Sequence, residues 1–269
     1  MPELSIITVC FNEAARIALT CESIVNQTFQ DFEWIVIDGG STDGTRDILK
    51  QYAHRMNYVV SEPDRGIYHA MNKGIAQAHG AYLLFLNGGD YLYQSDVLAK
   101  IVDGNQPFIF DIYYGDLLME RVDKFKHYSR DFTNYYSMFM KKPLPHQATF
   151  IKRTLFECYG GYDESLIIAA DFDFVLRVFV SNPNRHRHTI VHLPYIIAVY
   201  ENSQGLSSRY IDLREVEYRY LRRKHYPALY RIHYSIQTWL TEQKNRILDS
   251  ATYRFKRFVK RERSCRKSA

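Results

Sequence analysis

Strand-like and helix-like segments alternate along the first ninety residues of this 269-residue chain. The first run, Ser5–Cys10, is rich in apolar and β-branched residues, as expected of a strand covered on both faces. Further strand signals lie at Trp34–Ile37, Tyr58–Val60 and Tyr82–Leu86, and helical patterns begin near Glu13 and cover Thr45–Tyr52 and Tyr68–Ala78. Strands joined by helices of this length need right-handed crossovers, so the pattern predicts an α/β fold with a mainly parallel sheet flanked by helices.

Polar and glycine-rich clusters follow the four predicted strands. They are Asn12–Glu13, Asp38–Gly44, Glu62–Gly66 and Asn87–Asp90. Ligands of parallel sheets bind outside the carboxyl ends of the strands. The sequence therefore predicts one binding site built from these four loops.

Beyond Asp90 the alternation fades. Strand-like pieces remain at Ile109–Tyr114, Phe125–Tyr128 and Thr149–Ile151, and a helix is predicted over Asp171–Val180. We expect residues 1–90 and 91–209 to form two halves of one domain, with the second half built for a second substrate. Residues 210–269 read as a helical C-terminal extension in which Pro227 separates at least two helices.

Charge is distributed unevenly. The net charge is +5, yet residues 210–269 carry 16 Lys and Arg against 6 Asp and Glu, which leaves the preceding residues negative. No cleavable leader and no apolar run of about 20 residues is evident, so the expectation is a cytoplasmic protein that is soluble or lies on a membrane surface. The four cysteines lack the spacing of a zinc site or a disulfide framework.

Two loops carry candidate binding chemistry. Asp38 ends a predicted buried strand and is followed by glycines, so its carboxylate can accept hydrogen bonds from a ligand, while Asp43 is suited to cap the next helix. In Asn87-Gly88-Gly89-Asp90, a carboxylate beside small residues suits a divalent cation bound together with a diphosphate. The first strand lacks Gly-x-Gly-x-x-Gly, which disfavours a dinucleotide-binding enzyme.

Taken together and in order, these segments resemble family 2 glycosyltransferases of the GT-A fold, especially bacterial exopolysaccharide and lipopolysaccharide members. The similarity runs from about Leu4 to Ser207. Its motifs are the first strand through Glu13, Gln27-Thr28-Phe29, the Asp38 loop, Asp64-Arg65-Gly66-Ile67-Tyr68-His69-Ala70-Met71-Asn72-Lys73-Gly74, the Asn87–Asp90 turn and Ala170-Asp171-Phe172-Asp173. The resemblance implies a Rossmann-like GT-A domain over residues 1–209, whose first half binds a nucleotide sugar and whose second half binds the acceptor.

The resemblance also implies roles for the donor-side residues. Val9 and Asp38 would hold the nucleobase, and Asp64 and Arg65 would lie near the donor. Asp90 would be the metal-binding carboxylate, with Mg²⁺ or Mn²⁺ as cofactor. Many relatives carry extra acids where this chain has Asn87 and Gly88, so we expect the cation to be held by one protein carboxylate together with the donor diphosphate.

Asp171 matches the catalytic base of the family, although Ala170 stands where the motif has Glu. Inverting transfer needs one carboxylate to take the proton of the acceptor hydroxyl. Asp171 is also suited to cap a helix, and Asp173 is a rival that a helix would turn away from the same face. His146 is a candidate for lining the acceptor site, and a purely structural histidine is an equal alternative.

The sequence thus predicts an inverting, metal-dependent glycosyltransferase of cell-surface polysaccharide synthesis. The donor would be a UDP-sugar, with a GDP-sugar also possible, and the acceptor a hydroxyl of a glycan or lipid-linked molecule. The basic, aromatic-rich tail predicts peripheral contact with an anionic membrane at the inner face of the plasma membrane; packing of the tail on the body is the alternative. A non-catalytic nucleotide-sugar-binding scaffold is the rival function, and nucleic-acid binding is disfavoured by the negative body.

Overall fold

The computed structural model describes residues 2–102, 109–121, 124–129, 143–182, 188–201, 210–228, 230–232 and 236. The chain divides into two compact units, Met1–Leu221 and Arg222–Ala269. The predicted domain boundary after residue 209 falls at the end of a segment, 202–209, that lies outside the described residues.

The first half of the chain alternates strands and helices as predicted. Its elements are β1 (Leu4–Cys10), α1 (Ile17–Val25), β2 (Phe32–Asp38), α2 (Thr45–Tyr52), β3 (Tyr58–Ser61), α3 (Ile67–Gln77) and β4 (Tyr82–Phe85). The first helix starts later than expected, because residues 14–16 form a turn in which Ile17 N–H donates to the Glu13 carbonyl at 2.8 Å. All seven residues of β1 are buried, which explains why its sequence does not alternate between apolar and polar residues.

The second half is less regular. Its elements are β5 (Tyr91–Leu92), α4 (Val97–Val102), β6 (Ile112–Arg121), β7 (Lys124–Tyr128), β8 (Thr149–Lys152), α5 (Arg153–Tyr159), α6 (Ala170–Leu176), β9 (Ile190–Glu201) and α7 (Ile211–His225). The helix predicted over Asp171–Val180 is α6 followed by one π-helical turn, Arg177–Ser181. The 12-residue strand β9 had no predicted counterpart. Helix α7 ends before Pro227, and helical residues resume at Ala228.

The described strands form one sheet in the order β3-β2-β1-β4-β8-β6-β9-β5, with β7 paired to β6. Strands β1 to β4 run parallel to one another, β8 runs antiparallel to both β4 and β6, and β9 runs parallel to β6. The expected mixed, mainly parallel sheet flanked by helices is therefore confirmed. Because β8 reverses the direction, the loop that enters it lies at the same edge as the loops that leave β1 to β4.

The core holds these loops firmly in place. Trp34 is completely buried, and its indole N–H donates to Thr8 Oγ1 at 3.0 Å, so the ring adds apolar area without an unsatisfied polar atom. Helix α3 packs against β1 so closely that a Cβ on Gly74 would lie 2.4 Å from Ile7 Cγ2. This contact explains a glycine inside a helix, where it costs about 1 kcal/mol relative to alanine. Within the described part of the chain, no helix is long and apolar enough to cross a membrane.

Candidate active site

The loops that follow β1, β2, β3 and β4 meet at one edge of the sheet, as predicted. Backbone hydrogen bonds join them: Gly88 N–H donates to the Val9 carbonyl at 2.9 Å, and Gly39 N–H donates to the Cys10 carbonyl at 2.9 Å. Val9 is buried within β1, so its contribution to this edge is through the backbone. The four clusters form a continuous rim.

Asp38 is completely buried, and its carboxylate organises the loop that follows β2. It accepts hydrogen bonds from Ser41 N–H at 3.0 Å and from the hydroxyl groups of Ser41 and Ser61. The Cys10 thiol approaches it at 3.7 Å, and burial, aided by the charge of Asp38, raises the pKa of this thiol so that it stays a donor. These contacts give Asp38 a structural role in the loop, and its predicted role toward a nucleobase stays a prediction.

Asp43 has the structural role that the sequence suggested. Its carboxylate accepts from Thr45 N–H at 3.0 Å at the start of α2 and from Ala14 N–H at 2.9 Å in the loop after β1. Asn12 makes a similar link, because its Oδ1 accepts from Thr42 N–H at 2.9 Å. The loops after β1 and β2 are therefore tied together on the side away from the core.

An exposed aromatic ring and a buried carboxylate flank Gly39. Phe11 directly follows β1 and is 61% exposed, whereas the side chain of Asp64 is 8% exposed. A Cβ on Gly39 would lie 3.3 Å from Phe11 Cδ2 and 3.5 Å from Asp64 Oδ2, so a larger residue would crowd both. The three residues form a cradle in which an exposed aromatic ring lies beside the glycine backbone and a buried carboxylate oxygen.

The two oxygens of Asp64 differ. Oδ1 lies 2.6 Å from Lys73 Nζ and 2.9 Å from His69 Nδ1. Oδ2 is buried and accepts no hydrogen bond from any described residue. An unsatisfied buried acceptor costs about 1–3 kcal/mol, so a ligand hydroxyl that reached Oδ2 would gain that amount.

Arg65 extends over the rim toward the second half of the chain. Its guanidinium lies 2.7 Å from Glu164 Oε2, and Asn72 Nδ2 donates to Glu164 Oε1 at 3.1 Å. These hydrogen bonds from Asn72 and Arg65 lower the pKa of the Glu164 carboxyl. The Arg65 side chain is 73% exposed, which leaves its guanidinium accessible to an anionic ligand.

The turn after β4 depends on close packing. A Cβ on Gly88 would lie 2.8 Å from Cys10 Cβ, so only glycine fits there without displacing β1. Thr20 Oγ1 accepts from Gly89 N–H at 3.0 Å and donates to the Asp90 carbonyl at 2.7 Å. Asp90 itself is buried, and its Oδ2 accepts from Gln147 Nε2 at 3.1 Å.

The oxygen atoms of this turn suit a hard cation. Asn87 Oδ1 is buried and accepts no hydrogen bond from any described residue. Asp90 follows three residues later in the sequence. Magnesium-like cations often take one or two protein oxygens and fill their remaining positions with water and substrate phosphate. The described residues contain no group of three or more His, Cys, Asp or Glu arranged to hold a metal. The chemistry of Asn87 Oδ1 and of the Asp90 carboxylate is compatible with a cation that shares its ligands with a diphosphate, and the metal role of Asp90 stays a prediction.

His146 connects Asn87 to Asp171. Its Nε2 lies 3.1 Å from Asn87 Nδ2, and its Nδ1 lies 3.2 Å from Asp171 Oδ2. Because an amide nitrogen can only donate, we assign the Nδ1–H tautomer, in which Nε2 accepts from Asn87 and Nδ1 donates to Asp171. The predicted base, the predicted acceptor-site histidine and the predicted diphosphate turn thus form one hydrogen-bonded chain.

Asp171 is also held from its other side. Phe172 N–H donates to Oδ1 at 2.8 Å, and the Tyr68 hydroxyl lies 3.4 Å from the same oxygen. Burial, with a contribution from the charge of Asp171, raises the pKa of Tyr68 well above its usual range, so this hydroxyl remains protonated. Asp173 is almost completely buried and lies 2.8 Å from Arg177 Nε, which directs its carboxylate into an internal ion pair.

Several residues at the rim escaped sequence reasoning. They are Phe11, Tyr68, Gln147 and Glu164. Phe11 and Tyr68 lie within the motifs that carry the family resemblance, but the sequence pattern gave no reason to assign a role to either side chain. Gln147 adjoins His146, and only the antiparallel entry of β8 beside β4 brings it to Asp90. Glu164 stands in an irregular loop with no recognisable pattern around it.

Comparison with known proteins identifies close sequence relatives. Residues 5–165 match the family model described as glycosyl transferase family 2. A PGL/p-HBAD biosynthesis glycosyltransferase of Mycobacterium bovis (strain BCG / Pasteur 1173P2) is 36% identical over 220 residues, which are 78% of this chain and 81% of the relative. Glycosyltransferase AglE of Haloferax volcanii is 28% identical over 198 residues, 66% of this chain and 61% of AglE.

Solved structures share the fold. S. aureus TarS 1-349 in complex with UDP-GlcNAc aligns with a TM-score of 0.60 at 18% identity over 80% of this chain. The mannosyltransferase PcManGT from Pyrobaculum calidifontis, in complex with GDP-Man and Mn²⁺, aligns with a TM-score of 0.59 at 19% identity over 79% of this chain. The chain spans 64% and 61% of the lengths of these two structures. The fold is therefore GT-A.

Proposed function

The chain belongs to glycosyl transferase family 2, and from that premise we propose that it is an inverting, metal-assisted enzyme that moves a sugar from a nucleoside diphosphate sugar to a hydroxyl group. The observation that carries the proposal is the hydrogen-bonded chain from Asn87 through His146 to Asp171. It joins a turn suited to a diphosphate to a carboxylate suited to accept a proton. A site that transfers a glycosyl group with inversion needs both features within the length of one sugar.

The donor nucleoside would bind in the cradle formed by Phe11, Gly39 and Asp64. A base stacks on an aromatic face with a free energy of about 1–3 kcal/mol, and the exposed ring of Phe11 offers such a face. The unpaired Asp64 Oδ2 is suited to accept from a ribose or sugar hydroxyl. Asp38 would order the loop that follows β2 and, as the family resemblance implies, would contact the nucleobase.

The diphosphate would lie over the Asn87–Asp90 turn, with the Arg65 guanidinium close to the donor. Asp90 and Asn87 would hold Mg²⁺ or Mn²⁺, which, when bound, offsets the negative charge of the departing nucleoside diphosphate. Gly88 packs against Cys10, so it would contribute by shaping the turn next to the donor.

Asp171 would take the proton from the acceptor hydroxyl as the oxygen attacks the anomeric carbon. The hydrogen bond from His146 Nδ1 orients the carboxylate and leaves the second lone pair of Oδ2 for the acceptor. His146 is thus proposed to position the base as well as to line the acceptor site. Attack opposite the leaving group produces inversion.

The donor class is supported by the neighbours in the fold, since the two solved structures are complexes with UDP-GlcNAc and GDP-Man. A UDP-sugar is favoured and a GDP-sugar remains the alternative. We propose a glycan or lipid-linked acceptor in the synthesis of cell-surface polysaccharide or glycolipid, in keeping with the biosynthetic enzymes among the sequence relatives.

We further propose peripheral attachment to the inner face of the plasma membrane through the second unit. Its described residues include the exposed apolar side chains Tyr230, Ile232 and Ile236 near Arg222–Lys224 and Arg231. Exposed apolar groups among basic ones are typical of a helix at an anionic interface. Tyr226, an aromatic residue of the same tail, is 3% exposed and therefore does not belong to this surface. The remaining aromatic residues expected at the interface, Tyr234, Trp239, Tyr253, Phe255 and Phe258, lie outside the described residues.

One experiment separates an enzyme from a nucleotide-sugar-binding scaffold. The full-length protein is incubated with UDP-GlcNAc, UDP-glucose or GDP-mannose and a detergent-dispersed bacterial lipid extract, with Mn²⁺ or with a chelator, and released nucleotide is measured. We expect metal-dependent release from one donor that increases with acceptor. Tight donor binding without release in any combination would favour the scaffold.

A further inference from the structure

The side chain of Glu217 accepts hydrogen bonds from three backbone N–H groups close in sequence to Asp171. Glu217 lies on α7, is 7% exposed, and accepts from Ile167 N–H at 2.8 Å, Ile168 N–H at 2.9 Å and Ala169 N–H at 2.9 Å. Oε1 takes the first of these hydrogen bonds, and Oε2 takes the other two. The donors and the acceptor are about fifty residues apart in sequence and belong to the same compact unit.

The three N–H groups belong to the segment that leads into α6, the helix that carries Asp171. Ala169 is the N-cap residue of α6, and Ile167 and Ile168 precede it. An N-cap side chain would serve amides inside the first turn, whereas Glu217 accepts from the N-cap amide and from the two amides before it. Glu217 therefore fixes the backbone that enters the helix.

The same segment is held from its opposite side. The Ile168 carbonyl accepts from the Tyr68 hydroxyl at 2.6 Å, and that hydroxyl lies 3.4 Å from Asp171 Oδ1. Next to Glu217, the Tyr218 ring meets the ring of Phe172 edge-on at 5.1 Å. The backbone two and three residues before Asp171 and the side chain one residue after it are thus fixed by contacts that include α7.

We propose that Glu217 is a positioning residue that sets the orientation of Asp171, so that the start of the C-terminal extension is part of the active site. This inference rests on the proposed function, in which Asp171 is the base. It assigns a role to a residue that lies beyond residue 165, where the family match ends.

The charge of Glu217 and the length of its side chain are both required by this geometry. Glu217→Gln replaces one acceptor oxygen with an NH₂ group, which would face at least one backbone N–H and leave it without an acceptor. Glu217→Asp keeps the charge but is one methylene shorter, so it reaches fewer of the three amides. Glu215→Gln is the matched control, because Glu215 lies on the same helix with its side chain 55% exposed.

The experiment measures turnover, binding of UDP or GDP with Mn²⁺, and amide hydrogen exchange on the full-length chain. For E217Q we expect kcat to fall about tenfold, nucleotide affinity to stay within twofold of the parent, and the Ile168 and Ala169 amides to exchange faster. E217D should fall between E217Q and the parent, and E215Q should match the parent. A parent-like kcat in E217Q, or a parallel loss of kcat and nucleotide affinity, would overturn the proposal; if E217Q does not fold, E217D is judged by the same two criteria.

A double-mutant cycle with Asp171→Asn tests whether Glu217 acts through Asp171. In the D171N background, E217Q should lower the residual turnover by less than about twofold, because the group that it positions is already disabled. An equal loss in both backgrounds would mean a general structural role and would overturn the inference. A parent protein that releases no nucleotide with any donor would instead contradict the proposed function, and rapid exchange of the Ile168 and Ala169 amides in that parent would separately contradict the Glu217 contact.

Discussion

The proposed donor side and the proposed acceptor side of the site are built in different ways. On the donor side, Asp38 and Asn87 each stand at the end of a strand or directly beyond it, in a loop that the strand order brings to the rim. On the acceptor side, Asp171 depends on His146, 25 residues away in sequence, and its segment depends on Glu217. The difference teaches that strand order alone brings the proposed donor residues to the rim, whereas the position of Asp171, the proposed base, depends on side chains from two distant segments.

The largest expected effect is the loss of the base. Asp171→Asn should lower transfer about 10²-fold or more while UDP or GDP affinity stays nearly unchanged, because the amide keeps the size of the side chain but does not accept the proton. Turnover and nucleotide titrations on the same preparation measure the two quantities. Asp47→Asn, on an exposed face of α2, is the control. Full turnover in D171N would remove Asp171 from the mechanism.

Replacement of Asp90 should, in contrast, weaken nucleotide binding. Asp90→Ala should weaken nucleotide and Mn²⁺ binding together, by about tenfold or more, because contacts to charged groups contribute about 1.5–3 kcal/mol each. Calorimetric titration of UDP with and without Mn²⁺ measures this coupling, and Asp96→Ala, in the partly exposed loop after β5, is the matched control. Unchanged turnover of the parent in chelator would contradict the metal assignment.

His146 links the two sides, so its replacement should separate them. His146→Phe keeps a ring of similar size but removes the donor to Asp171 and the acceptor for Asn87. We expect kcat to fall about tenfold with less than about threefold change in nucleotide affinity. His54→Phe, in the exposed turn after α2, should leave both unchanged. If nucleotide affinity falls as much as kcat does, His146 belongs to the donor side.

A smaller effect is expected at the nucleoside cradle. Phe11→Ala should weaken UDP or GDP binding about fivefold, the lower end of the stacking range, and leave kcat at saturating donor unchanged. Phe125→Ala is closely matched, because the two phenylalanines are 61% and 60% exposed. Phe11→Trp should restore binding. Equal affinities of F11A and the parent would mean that the base does not stack on this ring.

The smallest effect on chemistry should come from the second unit. A chain ending at Leu221 keeps Glu217 and should turn over a soluble acceptor within about twofold of the parent. The full-length protein should sediment with anionic vesicles at low salt and be released at high salt, since each basic residue near such a surface contributes about 1 kcal/mol. Neutral vesicles are the control. Equal vesicle binding by the shortened chain would contradict the membrane assignment.

The sequence alone determined the strands and helices of the first half of the chain, because its signals are local. Strand and helix patterns read from Ser5 to Leu86 agree with the observed elements to within a few residues, and parallel crossovers then require the strand-end loops to share one edge. Asp38 and the Asn87–Asp90 turn could be selected in that way without knowledge of any long-range contact, whereas Asp64 was assigned to the donor by the family resemblance.

Tertiary structure alone decided how the acceptor side is assembled. Strand β9 was not predicted, because the local periodicity of its sequence does not reveal its pairing with β6, which crosses a register irregularity at Asp116. The tie from His146 to both Asp171 and Asn87 exists because β8 enters antiparallel to β4, and Glu217 reaches the Asp171 segment because α7 packs on it. The sequence around Glu217 does not indicate a hydrogen-bond partner about fifty residues away. The geometry of that hydrogen bond is set only when both segments are folded into place.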